Sequence, residues 1–181
     1  MPRSCWGAYS KTLHADDRFD ASCWGEYEVR ARIDSARAMQ DRARFFENRK
    51  GADRELFDAM VAYVCKVEVG GRHRANHFHV LFLFDAEHVR QYQLDHMLRL
   101  VTDRWQRVTG GLGLVFDCRG RSDEALLRSQ GRWALDPVDP FNDGQWARLG
   151  QYVETYFAKD DGQILRVKPT PKANTLTMGR V

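Results

Sequence analysis

The chain has 181 residues, 43% hydrophobic and 12% aromatic, which is enough for one sizeable core and short for two. Its 28 Lys and Arg against 25 Asp and Glu leave a formal charge of +3, a mild basic bias that permits contact with nucleic acid without demanding it. No apolar run approaches the ~20 residues of a membrane helix, no signal-peptide pattern opens the chain, and the four cysteines (Cys5, Cys23, Cys65, Cys118) form no C-x-x-C pair of a zinc ribbon or redox dithiol. A soluble protein of the cytoplasm, with no membrane partner, is the expectation.

Residues 1–26 are polar and weakly periodic, and read as a poorly ordered N-terminal arm ahead of a single domain over 27–181. Within the arm, Ser4-Cys5-Trp6-Gly7-Ala8-Tyr9 recurs nearly unchanged as Ser22-Cys23-Trp24-Gly25-Glu26-Tyr27, too few copies for a repeat architecture. Residues 27–33 alternate enough for a strand, and Asp34 or Ser35 then caps a helix to about Lys50, ended by Gly51. A short helical turn over 53–57 leads into a second strand over 59–69, rich in β-branched and aromatic residues. The basic turn from Gly70 to Ala75 then returns the chain as an antiparallel hairpin into 76–85.

Asp85 caps a predicted amphipathic helix over 86–108, with Val89, Tyr92, Leu94, Met97, Leu98, Leu100, Val101 and Trp105 on its apolar face and Thr109-Gly110-Gly111 as its stop. Residues 112–118 read as a strand, 119–142 as a long proline-bearing connection with local helix, and 144–159 as a helix whose core contacts are Trp146, Leu149, Val153 and Phe157. A final strand over 163–168 precedes a Pro- and Lys-containing tail.

Two stretches carry chemistry. In a strand, side chains alternate faces, so His77 and His79 point one way with Leu81 and Leu83, while Phe78, Val80, Phe82 and Phe84 point the other. Across the hairpin Glu68 shares a face with Lys66, and if that face is the histidines', a carboxylate reaches the space between the imidazoles. Two imidazoles and a carboxylate suit a divalent metal, Mg2+ or Mn2+ in use, though Zn2+ would bind the same donors. The plainer alternative makes the histidines half-exposed strand residues and Glu68 an ion-pair partner. The second stretch is helical: Tyr152, Tyr156 and Lys159 share one face. A tyrosine attacks only with help from a cation or a polarised electrophile, and Lys159 offers the cation. Here too a plainer reading exists, in which the tyrosines edge the core and the lysine offsets the helix dipole.

Taken together, Tyr63-Val64-Cys65-Lys66-Val67-Glu68, His77-Phe78-His79-Val80-Leu81-Phe82, Tyr156-Phe157-Ala158-Lys159 and Leu165-Arg166-Val167-Lys168-Pro169 resemble the HUH endonucleases. The resemblance is to rolling-circle replication initiators of the filamentous-phage (inovirus) type and to the YagK/YfjJ-like domain of prophage proteins. It implies an α+β fold with a central antiparallel sheet of about five strands flanked by helices, an RRM-like core of HUH/Rep type. It also implies a metal-dependent nicking and joining enzyme for single-stranded or origin DNA, acting through a 5′-phosphotyrosine. Glu68, His77 and His79 would then hold the metal, Tyr156 would attack, with Tyr152 a second candidate, and Lys159 would stabilise phosphate or tyrosinate charge. Arg72, Arg74, Arg166 and Lys168 are candidate DNA-phosphate contacts, with Trp133 and Trp146 as stacking candidates. The chain lacks the Gly-x-x-x-x-Gly-Lys-Ser/Thr loop of a helicase, so no nucleotide cofactor is expected and unwinding falls to a host helicase. Two alternatives stand beside this reading: a nicking-deficient DNA-binding regulator of the same fold, and a metal-dependent phosphodiesterase that uses water.

Overall fold

Two hydrophobic strands whose side chains alternate between two cores organise the molecule. β2 (Met60–Val69) and β3 (Asn76–Asp85) pair antiparallel, with Val64 opposite Leu81, Lys66 opposite His79 and Glu68 opposite His77. Cys65, Val67, Phe78, Phe82 and Phe84 belong to one buried cluster, and Val64 and Leu81 to another, so alternation delivers adjacent residues to opposite sides. Phe82, Phe84 and Leu81 are fully buried, each worth ~1.5–3 kcal/mol of transfer free energy.

The computed structural model describes residues 3–12, 24–47, 50–69, 76–117, 124–131, 133–158, 170 and 172–180. In chain order the remaining elements are β1 (Arg3–Thr12), α1 (Trp24–Phe46), α2 (Arg54–Ala59), α3 (Leu94–Thr109), β4 (Gly113–Asp117), α4 (Glu124–Ser129), α5 (Asp143–Tyr152) and β5 (Leu176–Arg180). α5 runs directly into a π-helical turn, Val153–Phe157. The strands form one antiparallel sheet in the order β4-β1-β3-β2-β5, with three ten-residue strands at the centre and a five-residue strand at each edge. The fold is α+β. Among the described residues, no helix is long and apolar enough to cross a membrane.

Helices cover both faces. α1 and α3 pack over the larger cluster through Ala38, Phe45, Met97, Val101 and Trp105. α5, its π turn and the connection before it cover the other face with Val138, Leu149 and Phe157. α3 stops where Gly110 takes a left-handed φ of 64° and Gly111 N–H donates to the Gln106 carbonyl at 2.8 Å, the paired-bond ending that glycine allows. Asn142 caps α5 by accepting from Gln145 N–H at 3.1 Å.

Several expectations need correction. Arg3–Thr12, read as part of a poorly ordered arm, is a central strand between β4 and β3. Residues 27–33, read as a strand, lie inside α1. Their alternation is short, and the Ala-, Glu- and Arg-rich run that continues past Asp34 favours a helix. The near-duplicate segments therefore end in different structures: the first lies in β1, and Trp24 to Tyr27 of the second begin α1. The third helix begins at Leu94 because Asp85 caps a turn instead, accepting from Glu87 N–H at 2.9 Å. Tyr92 falls outside that helix and is 82% exposed, so it is no core residue. Residues 176–180, read as tail, form β5, and the strand expected over 163–168 lies outside the described residues.

Candidate functional site

The hairpin register brings Glu68, His77 and His79 onto the α5 side of the sheet. Glu68 and His77 face each other across β2 and β3, and His79 follows two residues on. Glu68 Oε2 lies 2.9 Å from His79 Nε2 and 3.3 Å from His77 Nε2, while Glu68 Oε1 takes an ion pair from Lys66 Nζ at 2.5 Å. Lys66, Glu68 and His77 are all about 4% exposed, and the His79 side chain, at 14%, is the more accessible ligand candidate.

Burial alone would push the Glu68 carboxyl up. Hydrogen bonds from His77, His79 and Lys66 outweigh it and hold the group well below the usual carboxylate range. The carboxylate is therefore ionised and can only accept. In a neutral His79 the proton accordingly sits on Nε2, which donates to Glu68, and Nδ1 is left as an acceptor.

That acceptor faces Tyr156, whose hydroxyl lies 3.2 Å from His79 Nδ1, with the two rings edge to face at 5.2 Å. Ala158 N–H reaches back to the Val153 carbonyl at 3.2 Å in the π turn, and Tyr152, four residues before Tyr156 on the same helical face, stacks on it at 5.4 Å with 7° between the rings. Leu149 and Phe157 anchor the segment in the core on either side.

The donor set passes a simple test of fit for a divalent metal. Glu68, His77 and His79 each offer one ligand atom within 4.8 Å of the others. Neighbouring ligands at ~2.1 Å from an octahedral ion sit roughly 3 Å apart. The 2.9 and 3.3 Å separations from Glu68 Oε2 to the two imidazole nitrogens match that spacing.

Of the residues singled out from sequence, Glu68, His77, His79 and Tyr156 meet in one place, and Tyr152 stands behind Tyr156. Lys159, Arg72, Arg74, Arg166 and Lys168 lie outside the described residues. The two tryptophans are already engaged: Trp146 packs in the α5-side core and donates to the Pro140 carbonyl at 3.2 Å, and Trp133 carries the Arg128 guanidinium 5.0 Å over its ring. Sequence reasoning missed Lys66 as a member of the cluster. The signal was present in its alternation with Glu68, but a lysine is expected at the surface. No protein-family model matches the chain, and no curated protein matches it in sequence.

Proposed function

We propose that the protein nicks and rejoins single-stranded DNA by a tyrosine-nucleophile, metal-assisted phosphoryl transfer, as an initiator of rolling-circle replication. The observation that carries this reading is the 3.2 Å contact between Tyr156 Oη and His79 Nδ1, which ties a helical tyrosine to a strand imidazole already bound to a carboxylate. The HUH/Rep-type fold, with its RRM-like core, is part of the same proposal.

Glu68, His77 and His79 would hold a divalent cation, Mg2+ or Mn2+, which supplies Lewis-acid polarisation of the scissile phosphate and neutralises charge on it. The chain's own residues do the rest. With a cation held there, a neutral His79 ring would carry its proton on Nδ1, the nitrogen 3.2 Å from the Tyr156 oxygen, and that N–H would stabilise negative charge on the phenol oxygen as it attacks. Tyr156 gives its hydroxyl proton to water as its oxygen forms a bond to phosphorus, and the P–O3′ bond breaks. The 3′ oxygen leaves and gains a proton, and the 5′-phosphoryl group stays on the tyrosine. Attack by a 3′-hydroxyl reverses the step and rejoins the strand. Tyr152, stacked on Tyr156, holds the ring in orientation. Lys159 is assigned to phosphate or tyrosinate charge at the reacting centre, Arg72, Arg74, Arg166 and Lys168 to DNA phosphates, a host helicase to unwinding, and the bacterial cytoplasm to the location.

Purified protein with Mn2+ and labelled single strands should form a covalent protein–DNA adduct. Tyr156→Phe should lower adduct formation at least ~1,000-fold, and His77→Ala should lower it strongly while leaving the fold intact. A Tyr156→Phe protein that still forms the adduct contradicts the nucleophile assignment. Cleavage without any adduct would point to water as the nucleophile.

A further inference from the structure

The edge strand β4 turns its two faces to different surroundings. Val115 packs against the α1/α3 cluster, and a Cβ on Gly113 would meet the Trp105 ring, so these residues face that core. Alternation then puts Leu114 and Phe116 on the α5 side. There they are 50% and 61% exposed, and Leu112, just before the strand, is 61% exposed as well. Among the described residues, the α5-side cluster draws on β2, β3 and β5 and takes nothing from β4. Single exposed apolar residues are ordinary, but an apolar stripe along an edge strand is a surface that proteins blunt with charge unless something occupies it.

The sheet register connects the stripe to the candidate site. Phe116 pairs with Tyr9, and Tyr9 with His79; Leu114 pairs with Lys11, and Lys11 with His77. Directly paired residues share a face, so the two exposed side chains stand in the same cross-sheet rows, and on the same side, as the imidazoles. Two strand spacings of ~4.8 Å separate β4 from β3, which puts the Phe116 backbone roughly 10 Å from that of His79. Successive nucleotides of a stacked strand are ~3.4 Å apart and those of an extended strand further, so that gap is a reach of about three nucleotides or fewer.

We infer that Phe116, with Leu114 beside it, is a stacking platform for a base of the single strand within about three nucleotides of the phosphate that Tyr156 attacks. This rests on reading the protein as a single-strand nicking enzyme. Continuity of the stripe with the rows that carry the imidazoles favours the substrate strand over a second copy of the chain as its occupant. Every base has a π-face, so the contact fixes the path of the strand without reading its sequence. It fills the role that sequence alone suggested for Trp133 and Trp146, which are engaged within the protein.

The experiment follows binding of a labelled oligothymidylate by fluorescence anisotropy, and adduct formation with Mn2+, on full-length wild type, Phe116→Ala and Phe116→Trp. Phe116→Ala should bind about 5- to 150-fold more weakly, the range for losing one base stack, with Mn2+ uptake and the unfolding transition unchanged. Phe116→Trp keeps the π-face and should bind at least as tightly as wild type. On a strand whose nick site has been mapped, an abasic nucleotide at one position within about three of the scissile phosphate should slow adduct formation by wild type and cost Phe116→Ala nothing further. Wild type that forms the adduct while Phe116→Ala binds and reacts equally well overturns this inference and leaves the nicking reading standing. So does a Phe116→Ala protein that loses self-association in place of DNA binding, which would assign the stripe to a second copy of the chain. Phe116-dependent binding with no adduct under Mn2+ sustains the stacking contact and overturns the nicking reading. No single-strand binding by folded wild type overturns both.

Discussion

Two buried charged clusters, in different layers of the molecule, show how differently burial can be used. In the α1/α3 layer, Arg104 is 5% exposed and spends its donors on fixed acceptors: the Phe45 carbonyl at 2.6 Å, the Arg44 carbonyl at 2.8 Å, the Glu47 carbonyl, and Asp53 at 2.5 Å. These carbonyls belong to the last turn of α1 and the residue after it, the end at which a helix leaves carbonyls to outside donors, and the guanidinium also lies over the Phe45 and Phe57 rings. Apart from the Asp53 carboxylate, which Arg107 shares, every partner is a backbone carbonyl or an aromatic face, and the cluster clamps α1 to α3. On the α5 side, Lys66, Glu68 and His77 are similarly enclosed and His79 and Tyr156 half-buried, but ring nitrogens and a phenol can each exchange donor for acceptor roles. The two clusters thus differ in chemistry: one is built mainly on fixed backbone acceptors, the other on groups able to change protonation or ligation state.

Disabling each cluster should have different signatures. Arg104→Met leaves Asp53 and three carbonyls short of a partner, and is expected to cost about 3–5 kcal/mol of unfolding free energy by urea titration while Mn2+ uptake by the folded fraction is unchanged. Should the variant keep its stability and lose metal binding, the contrast between the clusters fails. His77→Ala should lose Mn2+ uptake in the folded fraction and also give up about 1–3 kcal/mol, because Glu68 loses one of its buried partners.

The next largest effect is pH-dependent. The Glu68 carboxyl is held below its ordinary value in the folded protein, so its contribution to stability is complete above 4.5, the ordinary glutamate value, and is lost as the pH falls through the lower folded value. Metal-free wild type should exceed Glu68→Gln by about 1.5–3 kcal/mol at neutral pH, the range for hydrogen bonds to a charged group. That gap should narrow as the pH drops below 4.5. A gap that widens on acidification contradicts the arrangement. A smaller effect is expected at the sheet edge, where a Cβ on Gly179 would come 2.6 Å from Tyr63 Cε1. Gly179→Ala should cost about 1 kcal/mol, read as faster amide exchange along β5 with the His–Glu cluster undisturbed.

The parts of this contrast that were legible in the sequence are those with a strict period. β2 and β3 alternate because two cores lie on either side of them, which put His77 with His79 on one face and Glu68 with Lys66 on another; that these are the same face is set by the hairpin register, with Glu68 opposite His77. The i, i+4 spacing of Tyr152 and Tyr156 placed both on one helix face, where they stack, but no local pattern announces the π turn that carries Tyr156. β1 was hidden for a related reason: almost the same six residues form strand in one copy and help begin a helix in the other, so pairing with β3 and β4, not local preference, decides. Lys66 and Arg104 were hidden because charged residues are read as solvated. Their burial depends on acceptors that arrive from other parts of the chain, Glu68 for one and the end of α1 for the other.

The claim at the centre of the account is that Tyr156 is the nucleophile because His79, oriented by Glu68, faces its hydroxyl. Trapping the Mn2+-dependent adduct on a single-stranded oligonucleotide, digesting it, and sequencing the modified peptide by mass spectrometry tests that claim most directly. The account predicts a 5′-phosphonucleotide on Tyr156 in the wild type and no modified peptide in Tyr156→Phe. A nucleotide found on Tyr152, or cleaved DNA with a free 5′-phosphate and no modified tyrosine, would contradict it.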